Sequence, residues 1–119
     1  MKRMLLFATL AVAFAAGARG ATAQSPAPGA APSPAAIVHI KNFAYTPGTV
    51  TIKTGDVVQF VNDDPVAHTV TAADAAGFDS GNMDEHAVWR HAFTKAGTYP
   101  YLCTYHTYMK GTVVVKDGS

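Results

Sequence analysis

Residues 98–109 read Thr98-Tyr99-Pro100-Tyr101-Leu102-Cys103-Thr104-Tyr105-His106-Thr107-Tyr108-Met109. The first five are β-branched or aromatic apart from Pro100 and Leu102, and they follow a Lys95-Ala96-Gly97 turn, so they read as a strand. Just past that strand a thiol, an imidazole and a thioether recur every three residues, at Cys103, His106 and Met109. A tight loop closing a strand can aim three such side chains at one point. The segment therefore fixes both a strand of the fold and a candidate metal-binding loop.

Reading outward, the rest of the chain is short strands broken by turn formers. The expected strands are 37–41, 49–53 with Val50 and Ile52 on one face, 57–62, 67–72, 87–93 with Trp89, His91 and Phe93 on one face, 98–102 and 111–116. Thr54-Gly55-Asp56 and Asp63-Asp64-Pro65 separate neighbouring strands, and residues 73–85, rich in Gly, Asp and Asn, read as a long loop. No helical periodicity or internal repeat interrupts the pattern. Seven to eight strands of this length favour an all-β, Greek-key β-sandwich or barrel. The folded unit is expected over residues 36–117. At about eighty residues without a disulfide it is small, and a bound metal would add stability.

The N-terminus is organised differently. Lys2 and Arg3 precede an apolar run over residues 4–16, and Ala21-Thr22-Ala23 gives a small-x-small cleavage pattern, so residues 1–23 read as a signal peptide with Gln24 first in the mature chain. The apolar run is short for a bilayer span and no second one follows. Residues 24–35 are rich in Pro, Ala, Ser and Gly and read as a flexible tether. Nine basic residues less Lys2, Arg3 and Arg19 leave six, against eight acidic ones, a net charge of −2. That balance argues against a nucleic-acid partner, which needs a basic face. The chain has one cysteine. In an exported protein an unpaired thiol calls for a reason: burial, or a metal.

Soft sulfur ligands favour Cu(I), imidazole suits both copper states, and a Cys with two His in a plane plus a weak axial Met is an electron-transfer copper arrangement. The loop lacks a second His. His68 stands where Asp63-Asp64-Pro65 hands over to the next strand, so it can reach the same end of the fold. His39 and His91 lie within strands, and His86 follows the acidic pair Asp84-Glu85, which makes all three poorer candidates. Zinc also binds Cys and His, although it rarely takes Met.

Phe60-Val61-Asn62-Asp63-Asp64-Pro65, His68-Thr69-Val70 and Gly97-Thr98-Tyr99-Pro100-Tyr101 before Cys103 resemble the cupredoxin (blue copper) family over roughly residues 36–116, and the Cys-x-x-His-x-x-Met spacing is most similar to its amicyanin branch. The resemblance implies a Greek-key β-sandwich and one copper ion held by His68, Cys103, His106 and Met109. It implies a one-electron carrier between redox proteins, exported and monomeric, and not an enzyme. It also implies that redox partners dock on an apolar patch around His106. A copper storage or delivery protein is the alternative; it would want a site richer in Met and His than Met83 and Met109 provide. A copper enzyme would need further ligands and usually a second domain, and a metal-free adhesion module would leave the loop unexplained.

Several positions depart from the amicyanin pattern. Tyr105 and Thr107 stand where that pattern has Pro, so the loop loses two fixed φ angles and Tyr105 regains an amide donor, expected to reach the Cys103 sulfur. Ala67 replaces a frequent Pro. Thr69 replaces an Asn that ties the two ligand loops together, so a weaker tie is expected there.

Overall fold

The computed structural model describes residues 33–118, so the signal-peptide and most of the tether expectations lie outside the described residues. Eight strands follow one another: β1 (Ala36–Lys41), β2 (Ala44–Thr46), β3 (Thr49–Lys53), β4 (Val57–Asn62), β5 (Thr71–Ala72), β6 (Val88–Ala92), β7 (Gly97–Leu102) and β8 (Lys110–Lys116). They form two four-stranded sheets, ordered β2-β1-β4-β6 and β3-β8-β7-β5. Both sheets are mixed. β1 runs parallel to β4 and β3 parallel to β8, because the chain crosses from one sheet to the other between β2 and β3 and back before β4. This is the expected all-β sandwich.

Alternation sets which side chains meet between the sheets. Val38, Ile40, Val58 and Phe60 point inward from one sheet, and Val50, Ile52, Tyr101, Val113 and Val115 from the other, all buried. Period-two patterning of this kind fixes register, since a slip by one residue would turn the apolar set to solvent. Tyr101 is the largest fully buried side chain. It packs edge-on to Tyr45 and Phe60, and Gly111, its cross-strand partner on β8, leaves the space its ring fills.

Two strand expectations need correction. β2 was not anticipated: its three residues are too few to show a pattern, and the hairpin joining it to β1 turns on Asn42 and Phe43, both at positive φ (54° and 58°). Such a two-residue turn requires positive φ at both central positions; Asn tolerates this and Phe does so only when held. The expected strand 67–72 shrinks to Thr71–Ala72, because residues 68–70 pair with side chains and with the 79–83 segment instead of a neighbouring strand. The remaining strands fall within a residue or two of expectation.

His91 stacks on Trp89 and meets Phe78 and Phe93, and burial holds its imidazole below the ordinary value. A base depressed in the fold contributes stability that is complete above the unfolded-state value, about 6.5, and is lost as pH falls through the folded-state value. Replacing His91 by Phe should therefore flatten the fall in melting temperature between pH 7 and pH 5. Separately, Gly111→Ala would drive a methyl into the Tyr101 ring and hydroxyl and should cost about 1–3 kcal/mol in urea unfolding. Tyr101→Phe removes a buried hydroxyl that has no hydrogen-bond partner and should leave stability within about 1 kcal/mol of the parent.

Candidate metal centre

β7 and β8 form an antiparallel hairpin ending at the Leu102–Lys110 pair, so residues 103–109 are the hairpin loop itself. The loop closes on its own backbone: the Cys103 amide donates to the Met109 carbonyl (3.2 Å), the His106 amide to the Cys103 carbonyl (3.3 Å) and the Met109 amide to the His106 carbonyl (2.8 Å). This folds the three-residue spacing of the sequence into a compact turn, with Cys103 and Met109 buried and His106 half-buried.

His68 arrives from a second loop. β5 pairs with β7 through Thr71–Leu102 and Ala72–Tyr101, and continuing that register past Thr71 and Leu102 brings residue 69 beside residue 104. Thr69 is the fastening point. Its amide donates to Cys103 Sγ (3.4 Å), its Oγ1 accepts from the Thr104 amide (2.9 Å), and its carbonyl accepts from the Tyr45 hydroxyl across the sandwich. Burial, with smaller contributions from Cys103 and Tyr101, pushes the Tyr45 phenol far above its ordinary range, so it stays a donor. The Thr69 hydroxyl thus ties the two loops directly. The expected bond from the Tyr105 amide to the sulfur is absent among the described residues. The sulfur's backbone donor among the described residues is Thr69.

His68 Nδ1, Cys103 Sγ and His106 Nδ1 all lie within 4.8 Å of one another, the only His/Cys/Asp/Glu group so placed among the described residues. The sulfur is 3.7 Å from each ring nitrogen. A trigonal centre with first-row bond lengths of about 2.3 Å to sulfur and 2.0 Å to nitrogen requires about 3.7 Å between them. The tautomer fits as well. His68 Nε2 lies 2.8 Å from the Asp64 carboxylate, which accepts only, so Nε2 carries the proton and Nδ1 turns its lone pair toward the sulfur. Two ring nitrogens and a thiol facing one space, with His68 and Cys103 buried and His106 half-buried, suit a soft cation. Met109, buried at 2% exposure, belongs to the same loop.

Asp64 is the functional residue that sequence reasoning does not single out; along the chain it is part of a strand break and of the cupredoxin-like segment. Its carboxylate accepts from the Asn42 amide (2.7 Å), the Phe43 amide (3.0 Å) and His68. Burial works against its charge, but the two amides and the imidazole outweigh it and hold the carboxyl below the ordinary range. The same bonds keep Asn42 and Phe43 at positive φ, and the Phe43 ring meets both His68 and His106 edge-on, with centroids 5.4 and 4.9 Å away. The one sequence signal was a carboxylate four residues before the candidate histidine; for Phe43 there was none. His39 pairs with Asp63 and His86 with Glu85 at the surface, and His91 sits in the aromatic cluster, so none of the three joins the centre.

The fold and this donor set define a β-sandwich protein with a single soft-metal centre at one end. Residues 4–115 match the family model for a cupredoxin-like domain, and the chain belongs to that family. It is 36% identical over 116 residues to amicyanin of Paracoccus versutus, with 87% of this chain and 88% of that protein covered. It is 31% identical over 118 residues to amicyanin-alpha of Methylorubrum extorquens, with 96% and 99% covered. Among solved structures, a Cu(I) form of an amicyanin point variant gives a TM-score of 0.67 at 31% identity, covering 72% of this chain and 86% of that one. An oxidised form of another variant gives the same TM-score, identity and coverage.

Removing the Asp64 carboxylate strands three donors, the buried His68 imidazole and the part-buried amides of Asn42 and Phe43. Asp64→Ala should cost the metal-free protein about 3 kcal/mol in denaturant unfolding and lower metal affinity by about 10- to 100-fold. Asp64→Asn, which keeps one acceptor oxygen, should fall between it and the parent. Unchanged affinity in Asp64→Ala would show that His68 is oriented by other means.

Proposed function

We infer that this chain is a small blue-copper protein that carries single electrons between redox proteins, with His68, Cys103, His106 and Met109 as the copper ligands. The observation that carries this reading is the convergence of two imidazole nitrogens and one thiolate sulfur from two loops that are hydrogen-bonded to each other. Copper bound there supplies a one-electron couple. A thioether in the same loop, from Met109, favours copper over zinc, and amicyanin, which the chain resembles over most of its length, has been solved in both Cu(I) and oxidised forms.

The protein's own work is to hold the donors still. Asp64 fixes the His68 ring, the Thr69 amide draws charge from the Cys103 sulfur, and the bond between Thr69 and Thr104 locks one loop to the other. A site whose ligands do not rearrange has little to reorganise when its charge changes, which keeps the barrier to transfer low. Burial of Cys103, His68 and Met109 also suits retention of the metal more than delivery of it.

The half-buried His106 ring is the route for the electron in this reading. Phe43, Val66, Tyr105 and Tyr108 are exposed large side chains at this end, Tyr108 at 70%, and Phe43 and Tyr108 contact the His106 ring directly. A small apolar patch of this kind suits brief docking of a redox protein, since such encounters bury little area. Export of a monomeric 36–117 domain through the 1–23 signal segment, with 24–35 as tether, completes the proposal.

Addition of Cu(II) to the metal-free protein should give one bound ion and an intense visible charge-transfer band from sulfur to copper. Cys103→Ser should abolish the band. A variant without the thiol that still turns blue would overturn the assignment.

A further inference from the structure

We propose that Tyr105 and Asn82 form a hydrogen-bonded clip that stiffens the metal-binding loop from outside, doing with a side chain what the amicyanin pattern does with proline. The inference rests on the copper reading above for its role and on separate contacts for its existence. Tyr105 lies between Cys103 and His106, and its hydroxyl donates to Asn82 Oδ1 at 2.9 Å. Asn82 is itself oriented, because its Nδ2 donates to Asp84 Oδ1, also at 2.9 Å.

The far end of the clip is anchored. Met83, the next residue, is buried and exchanges backbone hydrogen bonds with His68 in both directions, 3.1 and 2.9 Å. The Met83 carbonyl also accepts from Asn62 Nδ2, and the His86 amide donates to the Asn62 carbonyl (2.9 and 2.7 Å). The 82–86 segment is thus pinned to β4 and to the loop bearing His68. Through Tyr105 the Cys103–Met109 loop is held to that same segment, so both ligand-bearing loops are joined by a path that does not pass through the metal. On the other side of the loop the corresponding link is the bond from the Thr104 amide to Thr69. With Thr104 and Tyr105 both tied, the loop is restrained at two adjacent residues on its way from Cys103 to His106.

A free amide at residue 105 does not supply this restraint, since the Tyr105 N–H has no bond to the sulfur. The phenol does, at the end of a rigid ring with only two torsions to fix. Tyr105 is therefore a positioning residue, acting on His106 and Cys103 through the loop backbone.

The test is a double-mutant cycle on the copper-loaded protein, with the rate of Cu(II) removal by a chelator as readout. Tyr105→Phe and Asn82→Ala should each speed removal by about three- to tenfold, the worth of one such hydrogen bond, and the double variant should be no faster than the faster single one. Tyr99→Phe, which removes a tyrosine hydrogen bond to the Lys95 carbonyl away from the loop, should match the parent. In the metal-free protein, Tyr105→Phe should accelerate amide exchange over residues 104–108 while β8 amides keep parental rates. Single variants that release copper at the parental rate, or a double variant whose effect is the product of the two, would overturn the clip. A parent that takes up Cu(II) without a visible band would overturn the copper reading instead, and the exchange measurement would still decide whether the clip exists.

Discussion

One buried carboxylate organises this end of the molecule. Asp64 accepts hydrogen bonds from two turn amides and one imidazole, and no other acceptor of the described residues takes those three donors. An amide or imidazole N–H left without a partner inside a protein costs more than a made bond returns, so the three donors and the carboxylate specify one another. His68 is turned to face Cys103, the β1–β2 hairpin is held at an unfavourable backbone angle, and Phe43 is delivered onto the rims of both imidazoles. The geometry of the centre and the shape of the surface over it have a common cause.

The sandwich beneath supplies rigidity more than chemistry. Cys103 follows directly on β7 and Met109 directly precedes β8, so the loop inherits its width from a ladder of six residue pairs. Tyr45 reaches from the opposite sheet to the Thr69 carbonyl, which couples the packing of the two sheets to the residue that donates to the sulfur. Interiors packed like organic crystals transmit such constraints with little give. That suits a protein whose task is to change charge at one ion and move nothing else.

Tyr105, at a position where the amicyanin pattern has proline, illustrates how stiffness in the 103–109 loop can be relocated. Proline restrains a loop through its own φ angle; Tyr105 restrains it through a bond to another segment. The first is local and survives any change elsewhere, whereas the second depends on residues 82–86 being held in place by His68 and Asn62. Thr69 shows the same substitution of means, tying two loops through a hydroxyl where the family pattern uses an amide.

Short strands broken by turn formers, with one-faced patterning in 49–53 and 87–93, were enough to read the β-sandwich, because strand period and turn chemistry are local properties of the chain. The spacing of Cys103, His106 and Met109 likewise announced the chemistry, since a hairpin loop keeps near residues near. His68 could be named from its place after a strand break and from family resemblance, yet its orientation could not, because that depends on Asp64 and on pairing with Met83. Phe43 and the Asn82–Tyr105 bond left no mark in the sequence: their partners lie 25, 63 and 23 residues away, and only folding brings them together. Periodicity and loop spacing are written along the chain; the tautomer of a ligand, the donor to a sulfur and the clip on a loop are contacts between distant segments, and tertiary structure alone decides those.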